Sequence, residues 1–299
     1  MIEIVFLGTG SAVPSKKRNA SAIWLHYDTD FLLWDCGEGT QKQMMTARVS
    51  FMKIKRIFIT HWHADHWAGL IGLTQTMSLE GRKKPLYIYG PDAERFVNNI
   101  KDLDYRGQRF QIIPKNVPYE GNEITKIVEE DKYDILSAPM NHTVPSVAYC
   151  FKEHDAWNVD LKKCEKYGLK QSPLVGKLKK EGKVEIGKKT IMLEDVSNLK
   201  KGLKIVYTGD TKPCKNLDEI VKDADLLIHD STFLDEKHNR MHSGAKGAGL
   251  LAKKSGVKKL ILTHFSRRYV DVKPLIEEAK KNFKNTIAAE DFMRVKLKR

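Results

Sequence analysis

Residues 61–66 read His61-Trp62-His63-Ala64-Asp65-His66 and follow directly on an apolar, β-type stretch, Arg56-Ile57-Phe58-Ile59-Thr60. Four ligand-type side chains thus fall within six residues. Imidazole and carboxylate are the donors that borderline cations such as zinc prefer. The histidines of an H-x-H pair cannot share one face of a helix, where neighbours are three or four residues apart. In an extended or turning loop both rings can aim at one ion. Asp65 and His66 follow at an offset that points them toward a second ion. A polar loop of coincidental composition is the alternative, and this density of donors argues against it.

Working outward, the chain has 299 residues, enough for one large domain or two smaller ones. Apolar residues make up 41% of it, which suffices for a substantial core, and no apolar run approaches the ~18 residues of a membrane span. The start, Met1-Ile2-Glu3-Ile4-Val5-Phe6-Leu7-Gly8, has neither a basic beginning nor a cleavable apolar region, and predicts a first strand. Cys36, Cys150, Cys164 and Cys214 are scattered without a C-x-x-C, which fits a reducing cytoplasm and speaks against a disulfide frame or a cysteine zinc site. Lys plus Arg number 52 against 38 acids, a formal +14. Such an excess points to a polyanionic partner, or else to a generally lysine-rich proteome.

The first 60 residues read as four strands, over 2–7, 21–27, 31–34 and 54–60. Further strands are expected near 85–89, 135–138, 147–151, 204–207, 226–228 and 260–262. Helices are expected over 70–79, 93–100, 245–255 and 272–282, with Ser243 and Asp271 as caps of the last two. This alternation predicts an α/β layered fold, sheets covered by helices. Residues 152–204 stand apart, with 14 Lys, 8 Asp or Glu and few apolar runs. A structureless connection of ~50 residues would be unusual inside a compact domain, so this segment is expected to form a basic arm. It would be inserted into a catalytic domain made of 1–151 and 205–299.

A positional argument gathers the chemistry. His61, His142, Asp210, Asp230 and His264 each lie just beyond an apolar strand-like stretch. Strands ending at one edge of a layered fold would bring them together, and such loops commonly carry function. Singly, His142, Asp210 and His264 would be ordinary structural residues. The 61–66 run, however, holds too few ligands to complete two sites, and these residues fill that need.

With its later His142, Asp210 and His264, the run His61-Trp62-His63-Ala64-Asp65-His66 resembles the signature of the metallo-β-lactamase superfamily. The resemblance implies a four-layer αββα sandwich with two zinc ions per subunit at one edge. His61, His63 and His142 would hold the first ion, Asp65, His66 and His264 the second, and Asp210 would bridge them. Manganese or iron would suit the same donors.

Within that superfamily, Pro14-Ser15-Lys16-Lys17-Arg18-Asn19, after Gly8-Thr9-Gly10, resembles the early basic loop of the ribonuclease Z family, endonucleases that process tRNA 3′ ends. The basic segment 152–204 resembles that family's flexible exosite. His242-Ser243-Gly244 and His229-Asp230-Ser231-Thr232-Phe233 resemble its histidine loop and its carboxylate-bearing strand end. Ser172-Pro173 stands where the family often has Gly-Pro, and Gly244 where it often has Thr. Neither departure touches an expected ligand.

The resemblance implies hydrolysis of a phosphodiester in precursor tRNA, leaving a tRNA 3′-OH and a trailer 5′-phosphate. Asp65 would orient the nucleophile, and His242, paired with Asp230, would protonate the leaving ribose oxygen. Lys16, Arg18 and Asn19, with Ser172, Pro173, Lys177, Lys179 and Lys180 of the arm, would contact RNA. A homodimer would let one subunit's arm reach the other's active site. Two rival functions are weighed. A small-ester hydrolase of the same superfamily would need no basic arm. A nucleic-acid-binding scaffold would need no complete ligand set.

Overall fold

The computed structural model describes residues 1–103, 109–169, 173–187, 189–234 and 242–299. Two seven-stranded sheets dominate the described residues. The first runs, from edge to edge, Arg294–Leu297, Ile2–Gly8, Ala22–Tyr27, Asp30–Trp34, Ile54–Phe58, Leu86–Gly90 and Ile112–Asn116. It is antiparallel up to Asp30–Trp34 and parallel beyond it. The second runs Thr286–Ala288, Leu260–Thr263, Leu226–Asp230, Lys204–Tyr207, Ser146–Glu153, Tyr133–Met140 and Thr125–Glu129. Its first four strands are parallel.

The near-continuous apolar strands of the sequence are buried on both faces. Outward-facing Val5, Leu7, Leu33, Ile57 and Ile88 pack against Met44, Leu73, Met77 and Val97 of the helices Thr40–Thr46, Gly69–Leu79 and Ala93–Asp102. On the second sheet, Val206, Leu227, Leu260 and Leu262 pack against Leu217, Ala248 and Leu275 of Lys215–Val221, Ala245–Lys254 and Lys273–Lys280. Between the sheets lies an aromatic layer. Trp34 stacks on Tyr207 at 5.9 Å, Phe58 meets Tyr149 at 5.3 Å, and Tyr27 meets Phe151 edge-on at 5.2 Å. The result is helices, sheet, sheet, helices: the four-layer sandwich.

Residues Glu153–Leu203 with Arg299 form a second compact unit. It contains the ribbon Ala156–Val159 with Ser197–Lys200 and the hairpin Lys183–Ile186 with Lys189–Met192. The helices Leu161–Glu165 and Leu174–Glu181 complete it, around a small core of Cys164, Leu169, Leu178, Val184, Ile191 and Val196. Asp160 caps the first helix by accepting from the amides of Lys162 and Lys163, and Gly182, at φ 76, closes the second.

Several local expectations need correction. Ser243 does not cap Ala245–Lys254, because its hydroxyl donates to the Thr211 carbonyl at 2.7 Å and Gly244 occupies the cap position without a side-chain bond. Asp271 does accept from the Lys273 amide at 2.9 Å, but Val272 is the cap residue. The stretch read as four strands and their turns also carries the helix Thr40–Thr46. The strands Ile112–Asn116 and Thr125–Glu129 went unpredicted because they are half-exposed edges with lysine and proline among their residues, the composition that blunts an edge.

Candidate metal centre

The strand Ile54–Phe58 leads through Ile59 and Thr60 to His61, which lies outside any strand or helix. His63, extended at φ −70 and ψ 141, caps a single helical turn, Ala64–Trp67, which carries Asp65 and His66. The change from extended to helical backbone is what sends the four donors in two directions. His61 Nε2 lies 3.0 Å from His63 Nδ1, which lies 3.3 Å from His142 Nε2. His66 Nε2 lies 3.2 Å from His264 Nε2, and Asp65 Oδ2 lies 3.3 Å from His264 Nε2 and 3.5 Å from His66 Nε2. Two nitrogens bound to one tetrahedral zinc at the usual bond length stand about 3.3 Å apart. Both trios therefore have the spacing of a ligand shell.

Asp210 faces both. Its Oδ2 is 3.8 Å from His61 Nε2 and 3.6 Å from His66 Nε2, while its buried Oδ1 has no hydrogen bond among the described residues. Gly209, at φ 56, makes this placement possible, since a Cβ there would stand 2.6 Å from the Cβ of Thr60.

Neighbouring oxygens fix the rings. His66 Nδ1 donates to Asp35 Oδ2 at 2.7 Å, which leaves Nε2 facing the centre. Asp35 also accepts from the Thr60 amide at 2.8 Å and from the Thr60 hydroxyl at 3.0 Å. That hydroxyl has a single proton, so its lone pair takes the Nδ1 proton of His61 at 3.1 Å.

The electrostatics favour a cation. Burial, reinforced by the charges of His66 and His142, holds His61 well below the ordinary histidine value, and burial also lowers His63. Both are neutral donors at pH 7. On the other side the carboxylates outweigh burial. Asp210, Asp65 and Asp35 lift His66 well above its ordinary value, and Asp210, with Asp230 and Asp65, lifts His264 to about 10. Asp35, Asp65, Asp210 and Asp230 thus concentrate negative charge that protons on His66 and His264 only partly offset. A divalent ion would displace those protons. The orphaned Asp210 Oδ1, the ligand spacing and the donor chemistry all fit one.

Beside this cluster, His242 Nδ1 lies 2.9 Å from Asp230 Oδ2. The His242 ring stacks near His264 at 5.5 Å, and Asp230 lifts its pKa against the effect of burial.

Residues 2–101 match the family profile described as anti-Pycsar protein Apyc1, and residues 196–265 that of the beta-lactamase superfamily domain. Ribonuclease Z of Methanosarcina acetivorans is 41% identical to this chain, over 99% of it and 98% of the relative. The chain belongs to the ribonuclease Z family. The ribonuclease Z of Methanothermobacter thermautotrophicus is 42% identical, covering 100% of this chain and 97% of its own. Human tRNase Z, short form, shares the fold with a TM-score of 0.73 at 27% identity, covering 99% of this chain and 100% of its own.

Of the positions that resemble the ribonuclease Z family's RNA-contacting loops, Lys16 is exposed. Arg18 is committed within the chain: Nη1 donates to Thr9 Oγ1 at 2.6 Å and to the Ala289 carbonyl at 2.8 Å, and the guanidinium lies 4.6 Å over the Phe265 ring. Asn19 braces the same loop, donating from Nδ2 to the Glu38 carbonyl at 2.6 Å and from its amide to Asp291 at 2.8 Å. The loop borders a cavity of about 540 Å³ that Arg267 and Tyr269 also line. Pro173, Lys177, Lys179 and Lys180 are exposed in the second unit, and Ser172 lies outside the described residues.

Sequence reasoning missed Asp35, Thr60 and Thr232. Asp35 follows the strand Asp30–Trp34, so the rule that found the other five strand-end residues covers it too. Nothing in Trp34-Asp35-Cys36-Gly37 sets it apart from an ordinary turn aspartate until the imidazole it meets is known.

Proposed function

We propose that this chain is a metal-dependent endoribonuclease that removes the 3′ trailer from precursor tRNA. The observation that carries the proposal is the convergence of two ligand trios, a shared Asp210 and a His242–Asp230 pair at one strand edge, in a member of the ribonuclease Z family. His61, His63 and His142 would hold one zinc ion, Asp65, His66 and His264 a second, and Asp210 both. Bound there, such ions supply a water acidic enough to react at neutral pH and positive charge for the phosphate oxygens.

The chain's own residues do the rest. Asp65 Oδ2 is fixed by the Ala12 amide at 2.7 Å, which sets the carboxylate to orient the attacking water and take its proton. The water oxygen bonds to phosphorus as the bond from phosphorus to the ribose 3′ oxygen breaks. His242, held through Nδ1 by Asp230, has Nε2 left for transferring a proton to that departing oxygen. The products are a tRNA with a 3′-OH and a trailer with a 5′-phosphate.

The unit Glu153–Leu203 would act as an exosite on the tRNA body, with Lys177, Lys179 and Lys180 meeting phosphates; shape recognition suits a folded RNA. A homodimer would bring one subunit's exosite to the other's centre. Free Cys36, Cys150, Cys164 and Cys214 support a reducing, cytoplasmic setting. No described helix is long and apolar enough to cross a membrane.

The deciding experiment is cleavage of a 5′-labelled tRNA precursor by zinc-loaded protein, with the product end mapped. A single cut beside the acceptor stem is expected. No cut, with metal present, would favour a hydrolase of small esters.

A further inference from the structure

We propose that Thr232 is a positioning residue that ties the proton-donating pair to the second metal position through one shared carboxylate. Asp230 uses both of its oxygens. Oδ2 accepts from His242 Nδ1 at 2.9 Å. Oδ1 accepts from the Thr232 amide at 2.9 Å and from the Thr232 hydroxyl at 2.6 Å. With its one proton given to the charged acceptor, the hydroxyl has lone pairs left for the Nδ1 proton of His264, at 2.9 Å. Two carboxylate oxygens lie farther from that nitrogen: Asp210 Oδ1 at 3.2 Å, which makes no hydrogen bond, and Asp230 Oδ1 at 3.6 Å, beyond hydrogen-bond distance. Thr232 is therefore what orients the His264 ring, with Nε2 turned to Asp65 and His66.

The backbone of His264 supports the same conclusion. It sits at φ 60, in the left-handed region, which histidine visits more often than most residues but which still costs energy that the surroundings must offset. Thr232 lies at the point of strain, with its Oγ1 also 3.1 Å from the His264 carbonyl oxygen.

The first sheet has a matching device in Asp35, Thr60 and His61. Thr60 lies two residues beyond Ile54–Phe58, and Thr232 two beyond Leu226–Asp230. The two relays differ in what else the carboxylate holds. Asp35 also holds His66 and Tyr207, whereas Asp230 holds the proton donor His242. Only the second relay joins metal binding to proton delivery, so the Thr232 hydroxyl can be removed without breaking the His242–Asp230 contact.

The inference rests on the metal-centre reading, and the test separates the two. Wild type, T232V and T232S, stripped of metal, are titrated with Zn²⁺ against a chromophoric chelator, and precursor cleavage is followed across the same range of free zinc. T232V keeps the side-chain volume and loses the hydroxyl. It is expected to bind one zinc as wild type does and the other about ten- to a hundredfold more weakly. Its kcat at limiting zinc should fall by a similar factor with KM for RNA unchanged, and excess zinc should restore it. T232S, which keeps the hydroxyl, should remain close to wild type. Wild-type zinc affinity in T232V, or a T232S as impaired as T232V, would overturn the role of Thr232. A wild-type protein that binds no zinc would overturn the metal centre itself.

Discussion

Asp35, at the end of a first-sheet strand, accepts a 2.7 Å hydrogen bond from the hydroxyl of Tyr207 on the second sheet. The same oxygen accepts from His66 Nδ1 at 2.7 Å, so one buried carboxylate joins the two sheets and a metal-facing imidazole. Tyr207→Phe removes the bond and keeps the ring on Trp34. It should cost about 1.5–3 kcal/mol, as hydrogen bonds to charged groups do, read by urea unfolding of the metal-free protein. Asp35→Asn should weaken zinc binding about ten- to a hundredfold by loosening His66. Unchanged zinc affinity in that variant would show that Asp35 serves the fold alone.

The roles proposed for Asp65 and His242 lie in turnover and are separable from RNA binding. Asp65→Ala and His242→Ala should each abolish turnover while precursor tRNA still binds with nearly wild-type affinity in a filter assay. Unchanged turnover in either variant would refute its role.

Metal removal should destabilise the first unit, because an ion bound by the folded chain adds its binding free energy to folding. Without it the buried carboxylates of Asp65, Asp210 and Asp230 are left to His66, His264 and His242, which outweigh burial and hold them below the ordinary carboxylate range. At a free ion concentration a hundredfold above the dissociation constant, each bound ion contributes about 2.7 kcal/mol. A chelator should lower the melting temperature, and zinc should restore it. A melting curve indifferent to both would contradict a bound ion.

Deleting residues 158–195 removes most of a unit with its own core. Cleavage of a small phosphodiester should survive, and cleavage of a tRNA precursor should be crippled, with loss of the steep salt dependence that phosphate contacts give. Equal loss on both substrates would mean that the segment supports the catalytic unit.

Away from the centre, Glu130 pairs with Lys55 at 2.8 Å and with Arg56. Burial pushes its carboxyl up, but the two cations outweigh burial and leave it below the ordinary glutamate value. A lowered folded-state pKa adds stability above the unfolded pKa and loses it as pH falls through the folded one. Glu130→Gln should therefore be less stable than wild type at pH 7, by about 1 kcal/mol at most after solvent screening. The difference should vanish as pH drops well below about 4. A difference independent of pH would rule out the ion pairs as its source.

The candidate site was legible because ligand-type side chains are chemically distinctive and here dense: His61, His63, Asp65 and His66 stand out in the sequence, and the structure brings residues from other strand ends to them. The doubly buried strands were equally legible, since burial on both faces writes an unbroken apolar run. Thr60 and Thr232 were not legible, because a threonine after a strand is ordinary until the imidazole it meets is known. Nor was the commitment of Arg18 to Thr9 and Ala289, since a basic loop reads the same whether its guanidinium faces solvent or its own fold.

The candidate donors come from connections of both sheets, from His61 after the first-sheet strand Ile54–Phe58 to His264 after the second-sheet strand Leu260–Thr263. A first sheet on its own would therefore carry His61, His63, Asp65 and His66 without His142, Asp210 or His264, so the proposed centre closes only once both sheets have folded against each other.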